Sequence, residues 1–355
     1  MLPDSLRSII QDWHHLPEAT ISAVGLAAGA EGVDEVPGAL HVIRPEVLQR
    51  FSYSDPLRAL QTVSGVNIQE EDGFGLRPNI GLRGSGSERS ARITLMEDGV
   101  LIAPAPYTAP AAYYFPSIAR MESIEILKGS SQIAFGPQTS GGAINMVTPD
   151  IPDSSLAGLF RTEMSAFGGR VDHARVGSSW NHRWGTFGVM AEYLQLGSDG
   201  FKELASGDPT GFSKTDRLMK FRWTSPLESK LQQSVEWKTG QVNEDAQETY
   251  VGLTDADYQL NPFQRYAATA QDRMLAKQRQ NVLKHRAELG ARWSIETDIY
   301  RTEFERNWYK LDRVIDSTGV AHGLADLFQQ GADVDALNLL KSVDTPDGAG
   351  LDLKA

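Results

Sequence analysis

The side chains whose type and spacing come nearest to chemistry are Asp255 and Asp257, two carboxylates two apart in Thr254-Asp255-Ala256-Asp257. On an extended stretch they share one side and could ligate calcium, but the run lacks the glycine and the distal glutamate of a calcium loop. A solvated loop is the better reading. Among the seven histidines only His14 and His15 are adjacent, and neighbours on an extended chain point to opposite sides, which does not suit a shared zinc ion. Gly84-Ser85-Gly86 and Gly141-Gly142 form neither G-x-G-x-x-G nor a Walker sequence, so they read as tight turns. No G-x-S-x-G elbow supplies a serine nucleophile. With no cysteine in the chain, thiolate metal sites, a cysteine nucleophile and a disulfide scaffold are excluded. No catalytic, cofactor-binding or metal-ligating set is legible in these residues.

The elements that must carry such binding are bounded by size and charge. A chain of 355 residues is long enough for two domains. Its 46 acidic and 34 basic residues leave a net charge of −12, and no basic stripe relieves it, so nucleic acid is not an expected partner. Met1-Leu2-Pro3-Asp4 runs on through Asp12, His14 and His15 without the apolar stretch of a signal peptide. The longest uncharged run, Gly99 to Ala119, contains Pro104, Pro106, Pro110 and Pro116, each of which removes a helix donor. A bilayer crossing by this chain would therefore be made by strands closed into a barrel.

Three segments follow. Residues 1–35 read as an extension, with the Gly/Ala-rich stretch Gly25 to Gly32 as linker. Residues 36–152 read as a compact α+β domain. Ser54-Asp55-Pro56-Leu57 opens a short helix with Leu57, Leu60 and Val63 on one face. Ile80-Leu82, Ile93-Leu95, Ile124-Ile126 and Ile144-Met146 alternate as strands of one small half-buried sheet, with glycine-bearing turns. Residues 153–355 change to segments of about ten residues in which apolar and polar positions alternate. Strands are expected at 157–167, 171–181, 185–196, 215–225, 230–240, 281–291 and 294–306. Short turns at 182–184 and 226–229 alternate with long loops at 197–214 and 241–280. A soluble β-rich binding protein shows the same alternation within strands but has less reason to gather its long loops on one side.

Four motifs stand in order between residues 77 and 145: Arg77-Pro78-Asn79-Ile80-Gly81-Leu82-Arg83-Gly84, Met96-Glu97-Asp98-Gly99-Val100, Glu122-Ser123-Ile124-Glu125-Ile126-Leu127-Lys128-Gly129, and Phe135-Gly136-Pro137-Gln138-Thr139-Ser140-Gly141-Gly142-Ala143-Ile144-Asn145. The set resembles the plug domain of TonB-dependent outer-membrane receptors. Ala105-Pro106-Tyr107, Phe115-Pro116 and the loop stretch Glu248 to Tyr258 followed by Arg265-Tyr266-Ala267-Ala268 resemble the ferric dicitrate receptor branch. The resemblance implies a β fold: an N-terminal α+β plug with part of an antiparallel membrane barrel of the 22-stranded type. It also implies a fragment, since about seven strands are visible and the chain ends at Leu351-Asp352-Leu353-Lys354-Ala355 without a terminal aromatic.

What the resemblance implies for function is active transport of a ferric chelate, ferric citrate or another siderophore, across the outer membrane of a Gram-negative bacterium. The partners are then TonB, the chelate and outer-membrane lipid. A copper chelate or a saccharide remains open as cargo, because it would change only the loops. Thr20-Ile21-Ser22-Ala23-Val24 is the candidate TonB box, an extended run that a partner could take up as an added strand. Tyr107, Thr108, Tyr113 and Tyr114 at the plug apex, and Lys202, Lys214, Arg265 and Arg273 in the long loops, are the candidate ligand contacts; the cations suit an anionic chelate. In the family, arginines at the positions of Arg83 and Lys128 lock the plug to barrel carboxylates, with Glu125 on the adjacent motif. Lysine at 128 keeps the charge but loses the bidentate fork.

Overall fold

The structure is a computed structural model that describes residues 39–341 apart from 52–54, 103–113, 130–131, 133–134, 137–138, 154, 166–167, 248, 250, 290–292, 317 and 329–333. The chain divides after Asp150 into two compact units.

In the first unit the strands are β1 (Ala39–Ile43), β2 (Val66–Gln69), β3 (Asn79–Leu82), β4 (Ile93–Glu97), β5 (Val100–Leu101), β6 (Ser123–Lys128) and β7 (Gly142–Val147). Five of them form a mixed sheet in the order β1-β6-β7-β4-β5, in which β4 and β7 pair in parallel, while β2 and β3 form a separate antiparallel pair. The four expected strands exist, but Asn79–Leu82 lies outside the main sheet. The sheet is also not half-buried: β3, β4, β6 and β7 are buried along nearly their whole length. The polar alternates survive there because they are paired. Asn145 Nδ2 donates to Glu125 Oε2 at 2.9 Å, and Arg120 Nη2 donates to Glu97 Oε2 at 2.7 Å. Helix α1 (Pro45–Phe51) follows β1, and α2 (Pro56–Leu60) is capped by Asp55, whose Oδ1 accepts from Leu57 N at 2.8 Å with proline at the first turn. Leu57, Leu60 and Val63 are all buried, as their shared face requires. Asp98 and Gly99, at φ 50° and 80°, make the two-residue turn that returns β4 into β5, a twist both residue types accept.

The second unit is a seven-stranded antiparallel meander of β8 (Ala157–Met164), β9 (Arg170–His182), β10 (Gly185–Ser198), β12 (Phe212–Thr224), β13 (Leu231–Ala246), β15 (Arg273–Leu289) and β16 (Trp293–Tyr309), joined in chain order. Short strands β11 (Glu203–Leu204), β14 (Gln264–Arg265), β17 (Arg313–Ile315) and β18 (Ala321–Gly323), and helices α3 (Asp255–Leu260), α4 (Leu324–Leu327) and α5 (Val334–Lys341), lie in the connections. All seven expected strands are present. The loop expected at 241–280 is shorter, because β13 and β15 pair from Ala246 and Met274 onward. The hairpin order puts the short β8–β9 turn, the connections 199–211 and 247–272 and the segment after Tyr309 at one end of the sheet, with the turns 183–184 and 225–230 at the other.

The faces of this sheet differ. Phe187, Val189, Phe221, Trp237, Leu283 and Ile299 lie on one face in adjacent register, with Trp180 stacked on Phe187 at 6.0 Å and Phe221 on Trp237 at 5.5 Å. From β10 to β16 this band follows one register row through Val189, Phe221, Trp237, Leu283 and Ile299. The row that starts at Phe160 passes instead through Ala174, Tyr193, Arg217, Gln241 and Arg279 to Glu303, two rows nearer the loop end. The opposite face is polar. Over it runs the start of the unit: Ile151 packs with Met190 and Leu218, and Arg222 Nη2 donates to Ile151 O at 3.1 Å. Gly177 and Gly188 make room for this segment, since a Cβ on them would lie 2.5 Å from Pro152 Cδ and 2.8 Å from Ile151 Cγ2.

Candidate functional site

The connections at the loop end form one cap with a core of its own. Val251, Tyr266, Ala268, Leu311, Val314, Leu327, Ala336 and Leu340 are buried together, so residues from 247–272 and from 311–340 share one apolar cluster. The connection 199–211 is tied in by β11 pairing parallel to β14 and by Asn261 Nδ2 donating to Glu203 Oε2 at 2.9 Å.

Asp257 is the polar centre of the cap. Its Oδ2 accepts from Thr254 Oγ1 at 2.7 Å and from Tyr266 OH at 2.8 Å, and Lys341 Nζ lies 2.8 Å away. Tyr266 OH in turn accepts from Thr254 N at 2.9 Å. Burial pulls the Asp257 carboxyl upward, but Lys341, Thr254 and Tyr266 outweigh it and hold the group below its ordinary value. The expectation of a solvated extended loop over 254–257 is therefore corrected. Thr254 caps α3 by accepting from Asp257 N, and on a helix two residues two apart face away from each other, which separates Asp255 from Asp257. The T-x-x-D spacing is the signal that predicts this cap. Among the described residues no group of three or more metal-ligating side chains occurs.

The candidate cations lie in different surroundings. Arg265, in β14, is half-buried, with Nη1 donating to Pro262 O at 3.1 Å and Gln264 O at 2.6 Å, and burial lowers its pKa from the usual guanidinium range. Lys202 precedes β11 with its Nζ 5.9 Å from the Phe201 ring centre. Lys214 and Arg273, read from sequence as loop residues, lie in strands β12 and β15 because the strands run further than expected. Lys214 is buried on the polar face with Nζ 3.2 Å from Glu244 Oε2. Arg273 is on the apolar face's side, its Nε and Nη2 donating to the two oxygens of Asp245 at 2.8 and 2.6 Å. The polar face adds residues that the sequence reading did not single out: His173 and Arg175 beside Glu192, at 2.7 and 3.6 Å, and Lys220 and Arg222 beside Glu236, at 3.9 and 3.8 Å. Their signal was alternation itself, which puts every second residue of a strand on this face.

In the first unit, Lys128 Nζ donates to Ser64 O at 2.7 Å; burial and then the nearby charge of Arg83 lower its pKa. Arg83 is exposed and at φ 52°, on the turn that Gly84 completes. Glu125 is not with them. It lies three residues from Lys128 on one strand, hence on the other face, where burial raises its pKa, the hydrogen bond from Asn145 opposes the rise and the charge of Asp98 adds to it. Asp72, not singled out from sequence, shapes the Arg77 motif by accepting from Phe74 N, Leu76 N and Arg77 N at 2.6, 3.3 and 3.0 Å. Tyr114 is buried. Tyr107, Thr108 and Tyr113, and the run Thr20 to Val24, lie outside the described residues.

Residues 32–143 match the family model of the TonB-dependent receptor plug domain. The vitamin B12 transporter BtuB of Photobacterium profundum is 28% identical over 182 residues, 48% of this chain and 27% of that protein. The unliganded ferric citrate transporter FecA is similar in structure with a TM-score of 0.65 at 21% identity, covering 78% of this chain and 41% of the transporter. The ferric yersiniabactin uptake receptor FyuA from Yersinia pestis gives a TM-score of 0.60 at 18% identity, over 77% of this chain and 42% of the receptor. The chain thus spans less than half the length of the proteins it matches.

Proposed function

We propose that the chain, whose residues 32–143 match the plug domain of TonB-dependent receptors and whose strand meander is similar in fold to the ferric citrate transporter FecA, serves energy-coupled uptake of a metal chelate across the bacterial outer membrane. The carrying observation is the joining, in one chain, of the plug with an antiparallel sheet that has a continuous aromatic and aliphatic face and a charged opposite face. A soluble sandwich would bury that apolar face against a second sheet; here Phe160, Met164, Trp180, Trp237, Ile295 and Ile299 are exposed, as lipid contact demands.

A ferric chelate is the cargo this reading favours, supported by the names of the two structural relatives and by the residues shared with the ferric dicitrate branch. Arg265 keeps its remaining guanidinium donors for a carboxylate of such a chelate, with Tyr107, Thr108, Tyr113 and Tyr114 of the plug and Lys202 as further contacts. Arg83 and Lys128 serve to hold the plug during transport, and Thr20 to Val24 receives TonB by strand addition. A corrinoid cargo is the second reading, favoured by the 28% identity to a vitamin B12 transporter. Deletion of the gene in its own host, followed by growth on ferric citrate, on other ferric chelates and on vitamin B12 as limiting nutrients, decides between them. Loss of growth on a ferric chelate alone supports the first, loss on vitamin B12 alone the second, and loss on neither overturns both.

A further inference from the structure

Beyond the apolar band the same face of the sheet turns basic. Arg217, Gln241 and Arg279 occupy one register row across β12, β13 and β15, and Thr215, Asn243 and Lys277 occupy the next row toward the loop end. They follow on the row of Met219, Thr239 and Asn281, which adjoins Phe221, Trp237 and Leu283 of the band. Neighbouring rows on one face are about 7 Å apart and next-but-one strands about 10 Å, so Arg217, Arg279 and Lys277 surround Gln241 and Asn243 within reach of one small anion. A cavity of about 540 Å³ opens at this level, lined by Ser213, Thr215, Asn243, Asp245, Lys277 and Asn307 among others.

The balance of charge here is opposite to that of the chain. Arg273 is held by Asp245, and Arg301 by Glu303. Among the described residues Arg217, Lys277 and Arg279 make no ion pair, although Glu305 stands opposite Lys277 and Glu303 opposite Arg279 in register. In a protein of net charge −12, three unpaired cations gathered at the edge of a lipid-facing band point to a partner that is anionic and lies at the membrane surface. We propose that this shelf binds the phosphate-bearing headgroup of a membrane lipid in the leaflet at the loop end. The cations take the phosphate through charge-assisted hydrogen bonds, the amides and hydroxyls of the cavity take the sugar or glycerol oxygens, and the acyl chains lie along Met219, Phe221, Trp237 and Leu283. The proposal rests on the sheet spanning the outer membrane, not on which cargo is carried.

The test uses the protein extracted from outer membranes in a nonionic detergent, with bound lipid read by native mass spectrometry after addition of diphosphoryl lipid A or its dephosphorylated counterpart. The wild type is expected to retain the phosphorylated lipid, and the Arg217→Gln/Lys277→Gln/Arg279→Gln variant at least about tenfold less of it. Neither should prefer the dephosphorylated form. Glu305→Gln, which removes the carboxylate facing Lys277, should retain more than wild type and so keeps the test decisive if the triple variant fails to fold. Equal retention by all three proteins overturns the proposal. Complete displacement of the lipid by millimolar inorganic phosphate makes the shelf a free-anion site and overturns the lipid assignment. Absence of the wild type from the membrane fraction is a different failure, that of the spanning reading itself.

Discussion

Replacing Asp257 by alanine should loosen the loop cap without disturbing the strands beneath it. The carboxylate receives Thr254 Oγ1 and Tyr266 OH, each through a charge-assisted hydrogen bond of about 1.5–3 kcal/mol, and Lys341, whose side chain is 37% exposed and so adds no more than about 1 kcal/mol. Water replaces part of what Thr254 and Lys341 lose. The Tyr266 hydroxyl, on a residue only 4% exposed, is left with an unpaired donor. A net cost of about 3 kcal/mol corresponds to roughly a hundredfold rise in the population of open cap. Amide hydrogen exchange reads this directly: protection of α3 and of Thr254 should fall about a hundredfold, while β13 and β15 stay unchanged. The same reasoning fixes the pH dependence. Asp257 titrates below its ordinary value of 3.8 in the folded cap, so its contribution is present above that value and is lost as pH falls through the lowered folded pKa. Wild-type cap protection should drop in acid, and that of Asp257→Asn should not. Exchange in α3 within threefold of wild type in the alanine variant would refute the assignment of Asp257 as the centre of the cap.

Three further outcomes are expected. Glu97→Ala removes the carboxylate that accepts from Arg120, whose side chain is 3% exposed, and should cost about 3–5 kcal/mol in urea unfolding of a 36–152 segment, which is expected to fold alone; Glu97→Leu with Arg120→Met should recover most of the loss, and equal damage in both would show that the ion pair is not what matters. Glu125 has a raised pKa, so the folded state binds more protons than the unfolded one between the ordinary 4.5 and the raised value, and stability falls as pH climbs through that window; Glu125→Gln should be more stable than wild type at pH 7 and equal to it below pH 4, as followed by thermal melts. Ser22→Pro removes a backbone donor from the candidate TonB box and should leave chelate binding intact while abolishing uptake; unchanged uptake of radiolabelled chelate would place the box elsewhere.

The strand meander was legible because its physics is periodic. Alternation in Phe187 to Tyr193 and in Met219 to Trp223 is imposed by a sheet with unlike faces, one apolar and one polar, and the seven strands fall where that alternation runs. Their ends were not legible. Alternation fades at Gln241 to Ala246 and at Arg273 to Gln280, where one face is mostly polar and the other mixes Val242, Ala246 and Met274 with Glu244, Gln278 and Gln280, and the pairing that extends β13 and β15 through these residues is a property of two strands together. Lys214 and Arg273 were misplaced into loops for that reason. In the plug, the glycine-bearing motifs announced the turns, whereas burial on both faces could not be inferred from Glu125 and Asn145, each of which reads alone as a solvent-facing residue.

The loop cap shows the same limit from the other side. Thr254 and Asp257 carry a local capping signal that sequence displays, and Tyr266 joins them from the same connection, but Lys341 is 84 residues along the chain from Asp257 and meets it only where residues 311–341 pack against 247–272. A carboxylate that looks available for metal in isolation is instead consumed by three donors of its own protein. This bears on ligand recognition. Asp257 cannot repel an anionic chelate as a free charge would, because Lys341 and two hydroxyls already neutralise its field, and the cap can therefore present Arg265 to an anion from a chain that is acidic as a whole. An Asp257→Ala cap should lose chelate affinity through lost order and not through altered charge, with the loss insensitive to salt, whereas an Arg265→Ala cap should lose affinity in a salt-dependent way. Affinities measured by intrinsic tryptophan fluorescence at low and high ionic strength separate the two, and the same salt response in both variants would contradict this division of roles.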